Sequence, residues 1–403
     1  MLTLTYEYKL VPTPEQIAEM EHILEVCASV WNYALRERKD WIASRKCLVN
    51  ACSLQREYII LVDAPYPGYA EQCKALTEAK KTSERLSSVN AQVLQQVLKK
   101  LDKAFKDMKD RKFGFPRFKK RGAMRSFVFP QLGNNPIGQG TIKLPCIGQV
   151  RFRQSRRVPD GFNVKQARVV KRASGFYLML TFQSDINIPD MPISGHVVGV
   201  DVGLQYFLST SDGLEVIRPR FFVDMQRELK LLQRRLKRKK IGSNNWRKTQ
   251  KKVSLLHERI SNTRKDFHFK TAHQLCSLCE TVAVEQLNLI GLSRGFLGKH
   301  MLDAGHGQFM NQILPWVCFK RGVAYIKVDA RGTSQECPDC GVTVKKVLED
   351  RWHQCPNCGS SKPRDVASAQ VIKNRAVGRT VTQNACGDGL TGVRSNTNLV
   401  KSR

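Results

Sequence analysis

The sequence predicts a multidomain protein in which an α+β N-terminal half is followed by an α/β C-terminal half. The 403 residues are enough for about two or three domains of ordinary size. Strand and helix patterns come in separate blocks before residue 190, whereas single strands and helices alternate after it. Apolar residues make up 41% of the chain, so each half can bury a core.

The N-terminal half begins with a strand and continues with helices. Residues 2–10 alternate between apolar and polar side chains, which predicts a half-buried strand. Residues 13–16 (Thr-Pro-Glu-Gln) match a helix-capping box with proline at the first helical position. A second amphipathic helix is predicted from about Ser88 to Met108. We therefore expect residues 11–110 to be mainly helical.

Residues 111–190 predict a small, mostly antiparallel β domain that residues 1–10 join. Short alternating runs such as 176–182 are separated by Gly, Pro and Asn turns. Near the start of this segment, KFGFPRFKKR interleaves phenylalanines with cations. We expect the three phenylalanines to anchor a loop in the core and the cations to contact nucleic acid (Phe113, Phe115 and Phe118; Arg117, Lys119, Lys120 and Arg121).

The C-terminal half follows a predicted linker at 189–194 and contains a strongly basic segment. Residues 218–270 hold 18 Lys and Arg against four Asp and Glu, a net charge of +14. Apolar stripes on both sides of a break at 242–246 predict an antiparallel pair of basic helices. Residues 379–403 are rich in Gly, Asn and Thr and are predicted to be a flexible tail.

The charge of the whole chain predicts a polyanionic partner. Lys and Arg exceed Asp and Glu by 32, which favours nucleic acid. A solvated face is the alternative for the helix pair, but few acids are spaced to balance it. We expect RNA or an RNA–DNA duplex to contact its cations, namely Arg234, Arg235, Lys237, Arg238, Lys239, Lys240, Arg247, Lys248, Lys251 and Lys252.

Localisation is predicted from the same composition. We find no apolar run long enough to span a membrane and no signal-peptide pattern, and 13 cysteines spread along the chain fit a reducing compartment. We therefore expect a cytoplasmic protein without a membrane partner.

Four cysteines have the spacing of a zinc site. Cys337 and Cys340 form one CxxC knuckle, and Cys355 and Cys358 form a second one 14 residues later. Two such turns can supply four thiolates to one tetrahedral Zn²⁺, which predicts a closed structural site. A disulfide pair or free thiols are the alternative. The similar sequence at 273–279 has no second pair nearby and is interpreted as buried helix cysteines.

Three acids stand at positions where an isolated charge is costly. Asp201 lies within an apolar strand pattern at 197–204, Glu285 ends another, and Asp365 opens the last helix. Carboxylates on adjacent core elements can converge on two Mg²⁺ ions that activate water at a phosphodiester. Taken singly, Asp365 fits a helix cap, Glu285 a strand end in solvent, and Asp201 an ion-pair partner.

These motifs together resemble the RuvC-type nuclease of the TnpB family, transposon-encoded proteins that are similar to type V CRISPR effectors. The resemblance rests on GVDVG around Asp201, VAVEQL around Glu285, CPDCG, HQCPNCG and PRDVASAQVIKNRA around Asp365, and on GFPRFKKR at 114–121. It implies the following domains: a wedge-like β-barrel (1–10 and 111–190), a helical recognition domain (11–110), an RNase H-like RuvC domain (195–332 and 361–378) and a zinc ribbon (333–360).

The resemblance also implies an activity and its ligands. Two Mg²⁺ ions at Asp201, Glu285 and Asp365 would cut double-stranded target DNA that is selected by a guide RNA from the transposon end. The cut would lie next to a short motif read by the protein. Arg351 matches a family arginine that would contact the scissile phosphate, although a solvated arginine is as good an interpretation.

Two departures from the family pattern and two other functions remain open at this stage. Pro363 stands where the family often has an acid, and Ala367 where it often has asparagine. A nuclease-silent RNA-guided DNA-binding regulator is one alternative, and a protein acting directly in DNA transposition is the other.

We expect a monomer, associated with the nucleoid of a prokaryotic cell.

Overall fold

The computed structural model describes residues 2–46, 60–61, 63–133, 136–158, 162–185, 191–347 and 350–378. The chain divides into two compact units, Met1–Ile188 and Pro189–Arg403. The predicted tail at 379–403 lies outside the described residues. Among those residues, no helix has both the length and the apolar character needed to cross a membrane.

The first unit contains a six-stranded antiparallel sheet. Its strands are β1 (Leu2–Val11), β2 (Ser126–Phe129), β3 (Thr141–Leu144), β4 (Gly148–Arg153), β5 (Asn163–Arg172) and β6 (Gly175–Ser184), in the order β2-β5-β6-β1-β4-β3. Strand β1 pairs with β6, where Tyr6 lies opposite Leu180, and with β4, where Leu10 lies opposite Phe152. The prediction that the first strand joins this β domain is confirmed.

Four helices precede the second strand among the described residues. They are α1 (Pro14–Ser44), α2 (Tyr69–Thr82), α3 (Glu84–Ser87) and α4 (Ala91–Arg111). The predicted capping box starts α1, because the Thr13 side chain accepts from the Gln16 amide and the Gln16 side chain from the Thr13 amide. Helix α4 begins three residues later than predicted because Asn90 caps it.

A buried arginine joins the three longer helices of this unit. Arg38 on α1 is fully buried and donates hydrogen bonds to Gln72 on α2 at 3.0 Å and to Asp102 on α4 at 3.2 Å. Its guanidinium also lies 5.2 Å from the centre of the Phe105 ring. The Asp102 carboxylate thus compensates the buried charge.

The expected anchoring of the phenylalanines at 113–118 is wrong. Phe113, Phe115 and Phe118 are 59%, 42% and 45% exposed. Two of the rings are partly covered, because Phe115 packs edge-to-face on Phe105 and the Lys39 ammonium lies over Phe118. Alternation with charged residues in an extended loop leaves these rings at the surface.

The second unit is built on a mixed five-stranded sheet. Its strands are β7 (Val197–Asp201), β8 (Tyr206–Thr210), β9 (Glu215–Ile217), β10 (Thr281–Glu285) and β11 (Ala324–Val328), in the order β11-β10-β7-β8-β9. Strand β10 is parallel to both β7 and β11, whereas β7, β8 and β9 are antiparallel. The short strands β12 (Trp352–Gln354) and β13 (Ser361–Pro363) pair separately.

The helices of the second unit lie between and after its strands in the chain. They are α5 (Phe221–Lys237), α6 (Asn244–Leu275), α7 (Leu289–Arg294), α8 (Gly298–Ala304), α9 (His306–Gln308), a π-helical turn (Phe309–Ile313), α10 (Leu314–Arg321) and α11 (Arg364–Ala376). Phe221 at the start of α5 contacts Phe267 late in α6, which confirms the antiparallel pair. Helix α6 continues past the predicted pair to Leu275.

The cysteines that follow α6 belong to the core of this unit. Cys276 and Cys279 are buried among apolar side chains, which confirms their interpretation as core residues. No local pattern indicated that Cys318 on α10 would lie next to them, with its sulfur 3.4 Å from that of Cys276.

Candidate active site

Two of the three predicted acids end neighbouring parallel strands. Val200 on β7 lies opposite Val284 on β10, and the next residues, Asp201 and Glu285, are the last of their strands. Parallel strands end at the same edge of a sheet, so the two carboxylates belong to one edge. Asp201 thus terminates its strand, whereas the sequence pattern placed it inside a longer one.

The third acid reaches this edge from helix α11, which packs across β7. A methyl group built on Gly199 would lie 1.9 Å from the carbonyl oxygen of Ala369, so the helix backbone directly covers this glycine. A methyl group built on Gly203 would lie 4.0 Å from Asp365 Oδ2. Gly199 therefore allows the helix to approach the strand that carries Asp201, and Asp365 faces the loop that follows this strand.

The electrostatics show that the three charges share one environment. Burial raises the pKa of Asp201 well above its usual range, and the charges of Glu285 and Asp365 raise it further. Burial also raises the pKa of Glu285. The Thr333 hydroxyl, which donates a hydrogen bond to this carboxylate, and the Arg375 guanidinium oppose the rise. A bound cation would relieve this repulsion.

The carboxylate oxygens are hard ligands of the kind that Mg²⁺ prefers. Within the described residues, the three acids do not form a set of ligand atoms all within 4.8 Å of one another, whereas the four cysteines do. Two ions about 3.5–4 Å apart would each take ligands from part of such a set, so the ligand atoms need not all lie within one such distance. The donor set therefore fits the expected magnesium pair.

The four predicted cysteines come together as one cluster. The sulfurs of Cys337 and Cys358 are 3.6 Å apart, and those of Cys340 and Cys355 are 3.5 Å apart. Four sulfurs around one tetrahedral Zn²⁺ would be separated by about 3.8 Å, given Zn–S bonds of about 2.3 Å. The cluster thus has the dimensions of a zinc site.

The two knuckles share one backbone pattern. The amide of Gly341 donates to the Cys337 carbonyl and that of Gly359 to the Cys355 carbonyl, both at 2.9 Å. Both glycines have φ near +74°, which favours glycine in each tight turn. Burial opposes ionisation of Cys340, but hydrogen bonds to its sulfur outweigh it and lower the pKa of this thiol to about 6. The thiolate is the form that binds metal.

The cysteine module is fastened to the helix that carries Asp365. Asn374 on α11 donates to the carbonyl of Pro338 at 2.8 Å, inside the first knuckle. Arg375 pairs with Glu336 and also donates to the carbonyl of Asp329 at 2.8 Å. These bonds tie the position of α11 to a folded cysteine module.

Arg351 lies next to the third acid along the backbone. Its carbonyl accepts a hydrogen bond from the amide of Arg364 at 3.0 Å, and its side chain is exposed. The side chain lines an open pocket together with Arg218, Arg220 and His300, none of which the sequence motifs singled out. These three residues lie 51 to 133 positions before Arg351, so no local pattern would have grouped them with it.

The predicted nucleic-acid contacts are at the surface of their units. In the loop at 117–121, Asn32 holds the Lys119 backbone through two hydrogen bonds, and Trp31 donates to the carbonyl of Arg117. The side chains of Arg117, Lys120 and Arg121 are exposed, and Lys119 lies over the ring of Trp31 at 4.7 Å. On α5, α6 and the link between them, nine of the ten predicted cations are exposed and Lys239 is half-buried.

Three family models match separate parts of the chain. Residues 181–294 match a family described as a probable transposase, and residues 306–372 match the Cas12f1-like TNB domain. Residues 1–47 match a model described as a helix-turn-helix domain. In the structure, residues 2–46 form one strand and one long helix instead.

Relatives and one solved structure match almost the whole chain. InsQ of Escherichia coli (strain K12), named for RNA-guided DNA endonuclease activity, is 30% identical, and the match covers 95% of this chain and 94% of InsQ. A Streptomyces pristinaespiralis protein named for the same activity is 27% identical, over 98% of this chain and 94% of that protein. Cas12f1, solved with its guide RNA and target DNA, shares the fold with a TM-score of 0.52 at 14% identity, over 90% of this chain and 84% of that one.

The fold and these matches define an endonuclease of mixed α/β architecture with a four-cysteine cluster. The chain belongs to the TnpB family of transposon-encoded, RNA-guided DNA endonucleases.

Proposed function

We propose that this protein cuts double-stranded DNA through a two-magnesium site formed by Asp201, Glu285 and Asp365. A guide RNA from the transposon end selects the target, and the cut lies next to a short motif that the protein reads. The observation that supports this most directly is that burial, and then the charges of Glu285 and Asp365, raise the pKa of Asp201. Such repulsion is costly unless it serves to bind cations.

The residues of the site have separate tasks in this proposal. Asp201 and Glu285 hold the metal pair from the strand edge, and Asp365 holds it from the helix side. The Thr333 hydroxyl orients the Glu285 carboxylate. When bound, two Mg²⁺ ions activate water and stabilise the leaving oxygen of a phosphodiester. Arg351 would contact the scissile phosphate from the cysteine module.

The remaining predicted ligands complete the proposal. Cys337, Cys340, Cys355 and Cys358 would hold one structural Zn²⁺, since their sulfurs have the spacing of a tetrahedral site. The basic helices and the loop at 117–121 would contact the phosphates of the guide RNA and its duplex with DNA. We propose that a monomer carries out the reaction.

The test is cleavage by the full chain purified with its co-expressed RNA. The RNA is sequenced, and the complex is incubated in Mg²⁺ with plasmids that carry the matching target beside a randomised segment. We expect linear product only beside a defined motif, and none for Asp201→Asn. Asp266→Asn is the matched control, because this exposed acid on α6 pairs with Lys270.

Three outcomes would contradict the proposal in different ways. Guide-dependent binding by the wild type with no cutting in Mg²⁺ would identify a nuclease-silent regulator. Cutting without any RNA would point to a protein that acts directly in transposition. Full activity of Asp201→Asn would show that the chemistry lies elsewhere.

A further inference from the structure

An open cationic pocket lies beside the three acids. It has a volume of about 460 Å³, and its lining includes Leu204, Arg218, Arg220, Leu297, His300 and Arg351. Three guanidinium groups and one imidazole line it, and none of the lining residues in the described part of the chain is an acid. A concentration of positive charge without a compensating acid favours an anionic ligand.

Two groups of this pocket lack the partners that buried polar atoms require. Arg218 donates from Nε to the carbonyl of Leu204 at 2.7 Å, but its Nη1 is buried with no hydrogen-bond partner among the described residues. Nδ1 of His300 is also buried, and no described residue is its hydrogen-bond partner. Such orphaned groups are costly, and a ligand with several acceptor oxygens would satisfy them.

The pocket adjoins the proposed metal site on two sides. Leu204 follows Asp201 by three residues, in the loop whose Gly203 faces Asp365. On the other side, the Arg351 carbonyl bonds to the amide of Arg364, the residue before Asp365. Any strand that presents a phosphodiester to the three acids therefore continues past this pocket. Leu204 and Leu297 add an apolar wall that suits a deoxyribose ring.

We propose that Arg218, Arg220 and His300 bind a phosphate of the DNA strand next to the phosphate that is cut. The contact holds the strand beside the acids equally in the ground state and the transition state, so these three residues act through substrate binding. Guanidinium groups suit this task because their donors match phosphate oxygens two at a time. The inference rests on the proposed function, since it assumes that the acids act on DNA.

The test replaces single phosphates of the target strand with neutral methylphosphonates. With the wild type, we expect one replacement beside the cut site to raise KM by about 10- to 100-fold with little change in kcat, as for the loss of a charge-assisted hydrogen bond. Arg220→Ala should raise KM on unmodified DNA by a similar factor and should lose sensitivity to that methylphosphonate. His300→Ala should behave in the same way.

Two further variants keep the result interpretable. Arg218→Ala also removes the bond to Leu204, so Arg218→Lys is measured beside it. Lys320→Ala is the matched control, because it removes one exposed charge on α10, outside the pocket. It should leave KM and the methylphosphonate pattern as in the wild type.

A binding measurement separates this inference from the proposed function. The same methylphosphonate scan is made for affinity, with the RNA-loaded Asp201→Asn protein and single-stranded target DNA. If the wild type does not cut but the scan still finds one sensitive phosphate that Arg220→Ala abolishes, the phosphate site stands and the nuclease proposal fails. If the pocket variants stay within twofold of their parents, or weaken guide RNA binding instead of DNA binding, the inference is wrong.

Discussion

The substitution Gly199→Ala tests how helix α11 reaches the strand that carries Asp201. The added methyl carbon would lie 1.9 Å from the carbonyl oxygen of Ala369 and 2.7 Å from the amide nitrogen of Lys373. Both neighbours are helix backbone, so no side chain can rotate away. Contacts between a carbon and a carbonyl oxygen begin at about 3.3 Å. The helix would therefore have to withdraw by roughly 1.4 Å, and Asp365 would move with it.

Two magnitudes follow from this displacement. Overpacking of a well-packed core costs typically about 1–3 kcal/mol, and for a unit of this size each kcal/mol lowers Tm by about 2–4 °C. We expect the upper part of that range, or a Tm lower by about 6–12 °C. Misplacement of a reacting group by about 1 Å costs roughly 100-fold in rate. Cleavage should fall by about that factor even at temperatures where the variant stays folded.

The assay combines thermal unfolding with single-turnover cleavage of a target plasmid. Gly307→Ala is the control, because its added methyl group would meet only Leu289 Cδ1, at 3.9 Å, in ordinary contact. It should leave both quantities unchanged. If Gly199→Ala kept the wild-type Tm within 1 °C and the wild-type rate within twofold, the close approach of α11 and its role in placing Asp365 would be refuted.

Three other changes probe the acids, the cysteines and the buried arginine. Because the pKa of Asp201 is raised in the folded state, the metal-free protein should lose stability as pH rises through that pKa, and Asp201→Asn should remove this loss. Calorimetry should also show that saturating Mg²⁺ raises Tm by about 5–10 °C in the wild type but much less in the variant. Cys340→Ser should release zinc, as metal analysis would show, and should lower cleavage because α11 is tied to the cysteine module. Cys146→Ser is the control, because this free thiol is exposed, and zinc retained by Cys340→Ser would contradict the assignment. Arg38→Met should lower the free energy of unfolding by about 3 kcal/mol. This is the low end for a broken buried ion pair, because Asp102 still pairs with Lys106, and an unchanged denaturation midpoint would count against that reasoning.

Local chemistry let the sequence predict much of the architecture. Alternation at residues 2–10, the capping box at Thr13 and the apolar stripes on both sides of residue 242 each depend on neighbours within a few positions, and each predicted element is present. The spacing of the four cysteines likewise depends only on two tight turns, and the four sulfurs do meet. The failure at Phe113, Phe115 and Phe118 has a physical reason, because aromatic side chains alone do not specify what covers them.

The order of the residues was enough to identify the acids, cysteines and cations of interest and to assign them to strands, helices or turns. The fold was needed to show that Asp201 ends its strand beside Glu285, and that α11 crosses Gly199 closely enough for Asp365 to face the same edge. It also brought Arg218, Arg220, His300 and Arg351 around one pocket. Periodicity reports the face of an element, whereas the meeting of distant elements depends on strand register and backbone packing, which a single sequence does not encode locally.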